Sequence, residues 1–462
     1  MPLAGANPIL GRLIDGETNP KRKEGALSDQ RVIPFSPPDI TEAEIDGVVE
    51  VLRSGWITTG PKTKEFERRI AALCRTPRAA ALSSATAALE CALRVLGVGP
   101  GDEVITSAYT YTASASCICH VGATPVLCDV APNSFEVDLG RLASLVTDRT
   151  KAIIPVDLAG IMADHESLRA LAESASGGFH AENDVQERLG RIAVIADGAH
   201  SLGAARHGLA SGEAADFTAV SFHAVKNLTT AEGGALVWRG GVFDDDEIYR
   251  RLMLWSLHGQ TKDALAKTKA GAWEYDIAFP GWKCNMNELS AALGLAQEKR
   301  YPTLLARRRA LVSRYEANLE GCGVELIGHY AEHDGDPTPA RILSDEEAQA
   351  ARTREAASRD GHASSGHLMI ARLTGRSMAF RNRTIEALAE QGIAANVHYK
   401  PLPLLSAYRN LGFDIADFPN AYAQFENEIT LPLHTLLSDG DVDYVCDRLV
   451  GTIESLEGSG LR

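Results

Sequence analysis

The sequence predicts an α/β protein with a mainly parallel sheet flanked by helices, and three observations carry the prediction. Apolar runs of strand length at 79–82, 103–106, 125–128, 152–156, 192–196 and 217–220 alternate with stretches of helical spacing, the pattern of successive strand and helix crossovers. A chain of 462 residues that is 45% hydrophobic can bury a large core and still build a second domain. The runs at 192–196 and 217–220 deliver Asp197 and a lysine-bearing loop just past their ends, where ligands gather in open α/β sheets.

Composition narrows the function classes. A net charge of -15 opposes non-specific binding to nucleic acid or anionic membrane, both of which need basic surface. The eight cysteines show no C-x-x-C pair and no framework spacing, so they read as reduced thiols. No stretch approaches the ~20 apolar residues of a membrane span, and the N-terminus lacks a continuous apolar signal core. A cytoplasmic protein that handles small molecules is the expectation.

In chain order, residues 1–32 mix Gly, Pro, Asn and charge without period and read as an N-terminal arm or frayed tail. Thr41-Glu42-Ala43-Glu44 has the form of a capping box ahead of a helix carrying Ile45, Val48, Val49 and Leu52. A Gly- and Trp-containing loop at 54–61 follows. The strand 79–82 then runs into Ser83-Ser84-Ala85-Thr86 and a helix over 87–96. Hydroxyls and unpaired N–H groups meet there at a helix N-terminus, which makes either an anion site or a plain cap. Gly97-Val98-Gly99-Pro100-Gly101 is a turn and no nucleotide loop, because it follows a helix and Pro100 lacks a donor. Past the strand 103–106, Tyr109 and Tyr111 precede a short helix of small residues; either ring can lie flat on a ligand or fill the core. The polar stretch at about 174–190 reads as a surface insertion.

The next two features carry the chemistry. Asp197 ends the run 192–196, with His200 three residues on. Lys226 stands in Ser221-Phe222-His223-Ala224-Val225-Lys226, among small and apolar neighbours, before Gly233-Gly234 turns the chain into Ala235-Leu236-Val237-Trp238. A lysine deprived of hydration favours its neutral, nucleophilic form and suits a Schiff base, though a lone lysine more often snorkels to solvent. A carboxylate at the neighbouring strand end changes the weighing. It could pair with a protonated pyridine nitrogen while the lysine holds an aldehyde carbon, the arrangement pyridoxal phosphate chemistry needs.

Further on, the segment 281–297 ends in a capped helix with a small-residue face, and 300–319 has the spacing of a linking helix. Residues 333–366 read as a charged, solvated insertion, after which a strand resumes at 367–373.

With Asp197, Lys226 and Gly233-Gly234 in order, and with Asn396-Val397-His398-Tyr399-Lys400-Pro401 and Leu431-Pro432-Leu433 beyond them, the chain resembles the DegT/DnrJ/EryC1/StrS family of pyridoxal phosphate-dependent sugar aminotransferases. The likeness runs from about residue 34 to 449. It implies a type I pyridoxal phosphate-dependent transferase fold with a seven-stranded sheet. A large cofactor domain would span 33–299, and a linking helix with a smaller α+β C-terminal domain 300–462. It further implies Lys226 as the Schiff-base lysine, Asp197 on the ring nitrogen, and Ser84, Ala85, Thr86 and Ser221 at the phosphate. Tyr111 would stack on the ring and His200 would lie near the phenolic oxygen. Lys283 stands where the family places an asparagine that reaches the neighbouring subunit's phosphate. The implied reaction moves nitrogen from L-glutamate to a nucleotide-linked keto-sugar within a homodimer that shares its sites, in surface polysaccharide or amino-sugar biosynthesis. Two alternatives remain: a sugar dehydratase of the same fold, disfavoured because such relatives carry histidine where this chain has Lys226, and a non-catalytic regulatory relative.

Overall fold

Strands that are apolar on both faces cannot leave either face in water, and here they pair into one covered sheet. The computed structural model describes residues 31–262, 274–331 and 361–460, together with 344, 346 and 347. The chain forms β1 (Ala79–Leu82), β2 (Glu103–Ser107), β3 (Thr124–Cys128), β4 (Thr150–Ile154), β5 (Ala193–Asp197), two-residue strands β6 (Ala205–Arg206) and β7 (Leu209–Ala210), β8 (Phe217–Ser221) and β9 (Gly234–Trp238). Seven of these make the main sheet in the order β1-β9-β8-β5-β4-β2-β3. Only β9 runs against its neighbours. The carboxyl ends of the other six, and the amino end of β9, therefore share one edge.

Helices cover both faces, and the alternation of side chains decides which residue meets which layer. Ala80, Leu82 and Leu236 pack with Leu89 and Leu93 of the helix Ala85–Val95 on one side. Ala79, Ala81 and Val237 pack with Phe66, Ile70 and Tyr301 on the other. The expected capping box is present: Thr41 accepts from the helix Glu42–Ser54 while Glu44 reaches back to Thr41.

The segments predicted separately around 287–297 and 300–319 are one helix, Glu288–Leu319, which Asn287 caps and which runs through Pro302. Proline removes one intrahelical hydrogen bond. Packing at both ends holds the helix through that loss. Tyr301 is buried and donates to Leu202 O at 2.5 Å, while Leu311, Val312 and Tyr315 enter a second core. That core surrounds an antiparallel sheet, β10 (Glu325–Leu326), β13 (Met369–Arg372) and β14 (Glu428–Leu431), in the order β10-β13-β14.

The two polar stretches differ from the sequence reading in their ends. Within 174–190, the turn Ser176–Gly178 is at the surface, but the helix Asp184–Leu189 is built in: Asn183 Nδ2 and Gln186 Nε2 both donate to Leu96 O, at 2.8 and 2.7 Å. Within 333–366, the C-terminal end is buried and not solvated. There β12 (His362–Ala363) joins β11 (Tyr330–Ala331) to β6, and Ser364 and Ser365 are enclosed behind it. Most of that stretch, and the arm before residue 31, lie outside the described residues.

Gly233-Gly234 lets β9 press against the turn after β1. A Cβ on Gly234 would stand 2.3 Å from Ser84 C and 2.4 Å from Ala85 N, both backbone atoms. Gly234→Ala should therefore cost roughly 1–3 kcal/mol in chemical denaturation, the range for overpacking a tight interior. Gly177→Ala, with nothing within 4 Å, should change stability by less than about 0.5 kcal/mol, as surface substitutions do.

Candidate active site

Because six strands point the same way, the loops after β1, β2, β5 and β8 converge with the start of β9. They enclose a cavity of about 350 Å³ whose lining includes Ser84, Ala85, Thr86, Tyr111, Asp197, His200, Ser221 and Lys226. These are eight of the nine residues singled out from the sequence. The ninth, Lys283, lines a different cavity, and its ammonium bonds within its own chain to Asn285 Oδ1. Tyr109, the rival of Tyr111, is a core residue: it is fully buried and donates from its hydroxyl to His398 O at 3.2 Å. Tyr111 is 59% exposed at the cavity mouth. The loop 54–61 does not line the cavity; Thr59 Oγ1 instead donates to Met286 O at 2.5 Å.

Asp197 is buried at the tip of β5 and holds few partners for a carboxylate. Ser114 Oγ donates to its Oδ2 at 2.6 Å and Ala199 N to its Oδ1 at 3.3 Å. Burial raises its pKa against those hydrogen bonds and the charge of Lys226. Lys226, half-buried on the loop after β8, shows the complementary effect: burial pulls its amine down to about 8, and the Asp197 charge pulls it part of the way back. Two neighbouring strands thus present a carboxylate and a low-pKa amine to one cavity.

The rest of the wall comes from both parts of the chain. Tyr399 lies 3.2 Å from His200 Nε2 through its hydroxyl, and its ring centroid is 5.7 Å from that of Tyr111. Among the described residues His200 Nδ1 is buried without a partner, and burial holds the ring neutral. Opposite, Ser84 caps the helix Ala85–Val95 by accepting from Ala87 N at 3.0 Å, beside Ala85 and Thr86 in the first turn. His223 and Glu232 form a pair at 3.6 Å on the rim.

These features fit pyridoxal phosphate. A carboxylate with spare acceptor capacity suits a protonated ring nitrogen, an amine near pKa 8 suits an aldehyde, and a helix N-terminus with hydroxyls suits a phosphate. The unpaired His200 nitrogen suits a phenolic oxygen. Sequence reasoning missed Ser114, which orients Asp197 from a separate helix, and gave no site role to His398 and Tyr399. Only the last two had a signal, the short 396–401 element.

The model of the DegT/DnrJ/EryC1/StrS aminotransferase family matches residues 38–450. The spore coat polysaccharide biosynthesis protein SpsC of Bacillus subtilis (strain 168) is 35% identical over 419 residues, 90% of this chain and 95% of SpsC. Spr1654 of Streptococcus pneumoniae, assigned as a sugar aminotransferase, superposes in its pyridoxal phosphate form with a TM-score of 0.83 at 50% identity, covering 92% of this chain and all of Spr1654. It is also known in a pyridoxamine phosphate form. PseC of Helicobacter pylori, an aminotransferase of pseudoaminic acid biosynthesis, superposes with a TM-score of 0.74 at 26% identity, over 92% of this chain and all of PseC.

Amine-selective labelling of cofactor-free protein should give Lys226 a midpoint near pH 8, well below that of an unperturbed lysine side chain. Asp197→Asn should move that midpoint lower, since the lost negative charge is what raises it; a midpoint near pH 10 in either protein would contradict the electrostatics.

Proposed function

The chain belongs to the DegT/DnrJ/EryC1/StrS aminotransferase family and is a pyridoxal phosphate-dependent sugar aminotransferase; from that premise we propose that it transfers the amino group of L-glutamate to a keto group on a nucleotide-linked sugar. The observation that carries the reading is the placement of Lys226 and Asp197 in one cavity, on loops from adjacent strands, each within the other's field. When bound, the cofactor supplies an electron sink for the pair released as the C–H bond beside the nitrogen ionises.

Lys226 Nζ would hold the cofactor's aldehyde carbon between turnovers, and its freed amine would accept and return the proton at the substrate carbon. Its depressed pKa keeps a useful neutral fraction near pH 8, which proton transfer requires. Asp197, oriented by Ser114, would keep the ring nitrogen protonated by offering a buried negative charge. His200 Nδ1 would serve the phenolic oxygen while Tyr399 holds the histidine's Nε2, and Tyr111 would cover the cofactor ring. Ser84, Ala85, Thr86 and Ser221 would bind the phosphate with the first-turn N–H groups of the helix Ala85–Val95.

The large unit, 33–299, carries the cofactor, and the 300–462 unit closes over it through His398 and Tyr399. The working form is a homodimer in which Lys283, with its exposed ammonium, serves the partner's phosphate as a point charge. The name of the SpsC relative favours a polysaccharide pathway. Among the described residues no helix is long and apolar enough to cross a membrane, which accords with a cytoplasmic location.

The purified enzyme should be yellow, and glutamate should bleach that colour. Lys226→Ala should lower turnover by roughly 10²–10⁴-fold, the usual weight of a positioned proton carrier. Asp197→Ala should abolish turnover while cofactor still binds. Mixing Lys226→Ala with Lys283→Ala chains should restore activity, because one hybrid site is whole; no recovery at any ratio would count against shared sites. The pyridoxamine form, offered a panel of nucleotide keto-sugars, should regain colour only with the true acceptor.

A further inference from the structure

Away from the cavity, two thiols face each other. Cys91 Sγ and Cys284 Sγ are 4.0 Å apart. Both line a separate cavity of about 470 Å³ with Ala87, Glu90, His120, Trp282 and Lys283; Cys91, within the helix Ala85–Val95, is buried, and Cys284 is half-buried. A disulfide needs about 2.05 Å between sulfurs, so an approach of about 2 Å would close one.

The surroundings divide the two thiols into attacker and resolver. The contact with Cys91, in which either sulfur could donate, draws the half-buried Cys284 below the ordinary thiol range, with Lys283 and Arg94 adding positive charge against burial and Glu90. Cys91 is pushed well above that range by its contact with Cys284 and by burial. Glu90 is engaged elsewhere, 2.8 Å from Arg94 and 3.1 Å from His120. A half-buried thiol drawn toward its thiolate form, beside a more deeply buried one, suits oxidation to a disulfide.

The pair also spans the turn read as the phosphate anchor. Cys284 O accepts from Ser83 N at 2.7 Å, and Met286 N donates to Ala81 O at 3.3 Å, so the Cys284 segment is bonded to the turn that leads into Ser84, Ala85 and Thr86. Cys91 lies two turns along the helix those residues open.

We propose that Cys91 and Cys284 are a reversible oxidation site, at which hydrogen peroxide closes a disulfide between the helix Ala85–Val95 and the segment bonded to its leading turn. The Cys284 thiolate attacks one peroxide oxygen, the O–O bond breaks, and the departing hydroxide takes up the proton the thiol had released. Cys284 is then a sulfenic acid. Cys91 attacks that sulfur; the S–O bond breaks, its hydroxyl takes the Cys91 proton, and a second water leaves as the S–S bond forms. The two sulfurs lose two electrons and the peroxide gains them. Drawing the sulfurs together displaces the turn and weakens cofactor binding. That consequence rests on the phosphate reading of Ser84 and Thr86, whereas the thiol chemistry does not.

The test treats holoenzyme with peroxide, blocks remaining thiols with iodoacetamide and maps peptides without reduction. The expected result is a Cys91–Cys284 linked peptide, loss of two of the eight thiols, and recovery with dithiothreitol. In Cys91→Ser, Cys284 should stop as a sulfenic acid that dimedone traps. Both thiols staying free, or oxidation falling first on the exposed Cys119, would overturn the proposal. Pyridoxal phosphate should bind the oxidised protein several-fold more weakly, with Cys284→Ser unaffected by the same treatment. A linked peptide with unchanged affinity would overturn the coupling. If Ser84→Ala and Thr86→Ala also bound cofactor normally, the failure would lie in the phosphate reading.

Discussion

The site depends on keeping a carboxylate ionised where little water reaches it. Asp197 sits at the tip of a fully buried strand with one short hydrogen bond from Ser114 and one long one from Ala199. A buried charge so lightly held is costly unless a cation stands opposite. Lys226 supplies part of that charge from the neighbouring strand end, although its own burial pulls its amine down to about 8 against the Asp197 charge. Each group is held away from its ordinary state by the same exclusion of water, so a cationic ring nitrogen placed between them would relieve the carboxylate and leave the amine free to react.

That arrangement needs the second part of the chain. Asn227, next to Lys226, is buried and clamped: its Nδ2 donates to Ser365 O and its Oδ1 meets His367 Nδ1, both at 2.9 Å. Ser365 also donates to His200 O, and Arg308 of the long helix donates to Gly366 O at 3.2 Å. The segment 364–367 thus ties the lysine loop, the His200 loop and the linking helix together. Side chains that never line the cavity set where its reactive groups lie.

Sheet direction explains why the residues meet at all. Asp197, Lys226, Ser84 and Tyr111 are spread across well over a hundred positions of sequence, yet each follows a parallel strand, and parallel strands deliver their carboxyl ends to one edge. Gly234 completes the edge, since no side chain fits where β9 meets the turn at Ser84.

The amino-acid sequence alone determined the alternation of strand and helix, the capping box at Thr41 and the pair Asp197 and Lys226, because each is written in local periodicity or in a residue type set at a strand end. Eight of the nine residues singled out, several of them through the family resemblance alone, line one cavity. Tertiary structure decided what local pattern cannot encode. It chose Tyr111 over Tyr109, carried one helix through Pro302, buried residues 364–367 at the end of a charged stretch, and set Ser114 against Asp197. Those outcomes turn on contacts between residues far apart in the chain. Whether a ring is core or wall, or a polar side chain loose or clamped, depends on what the fold brings to face it.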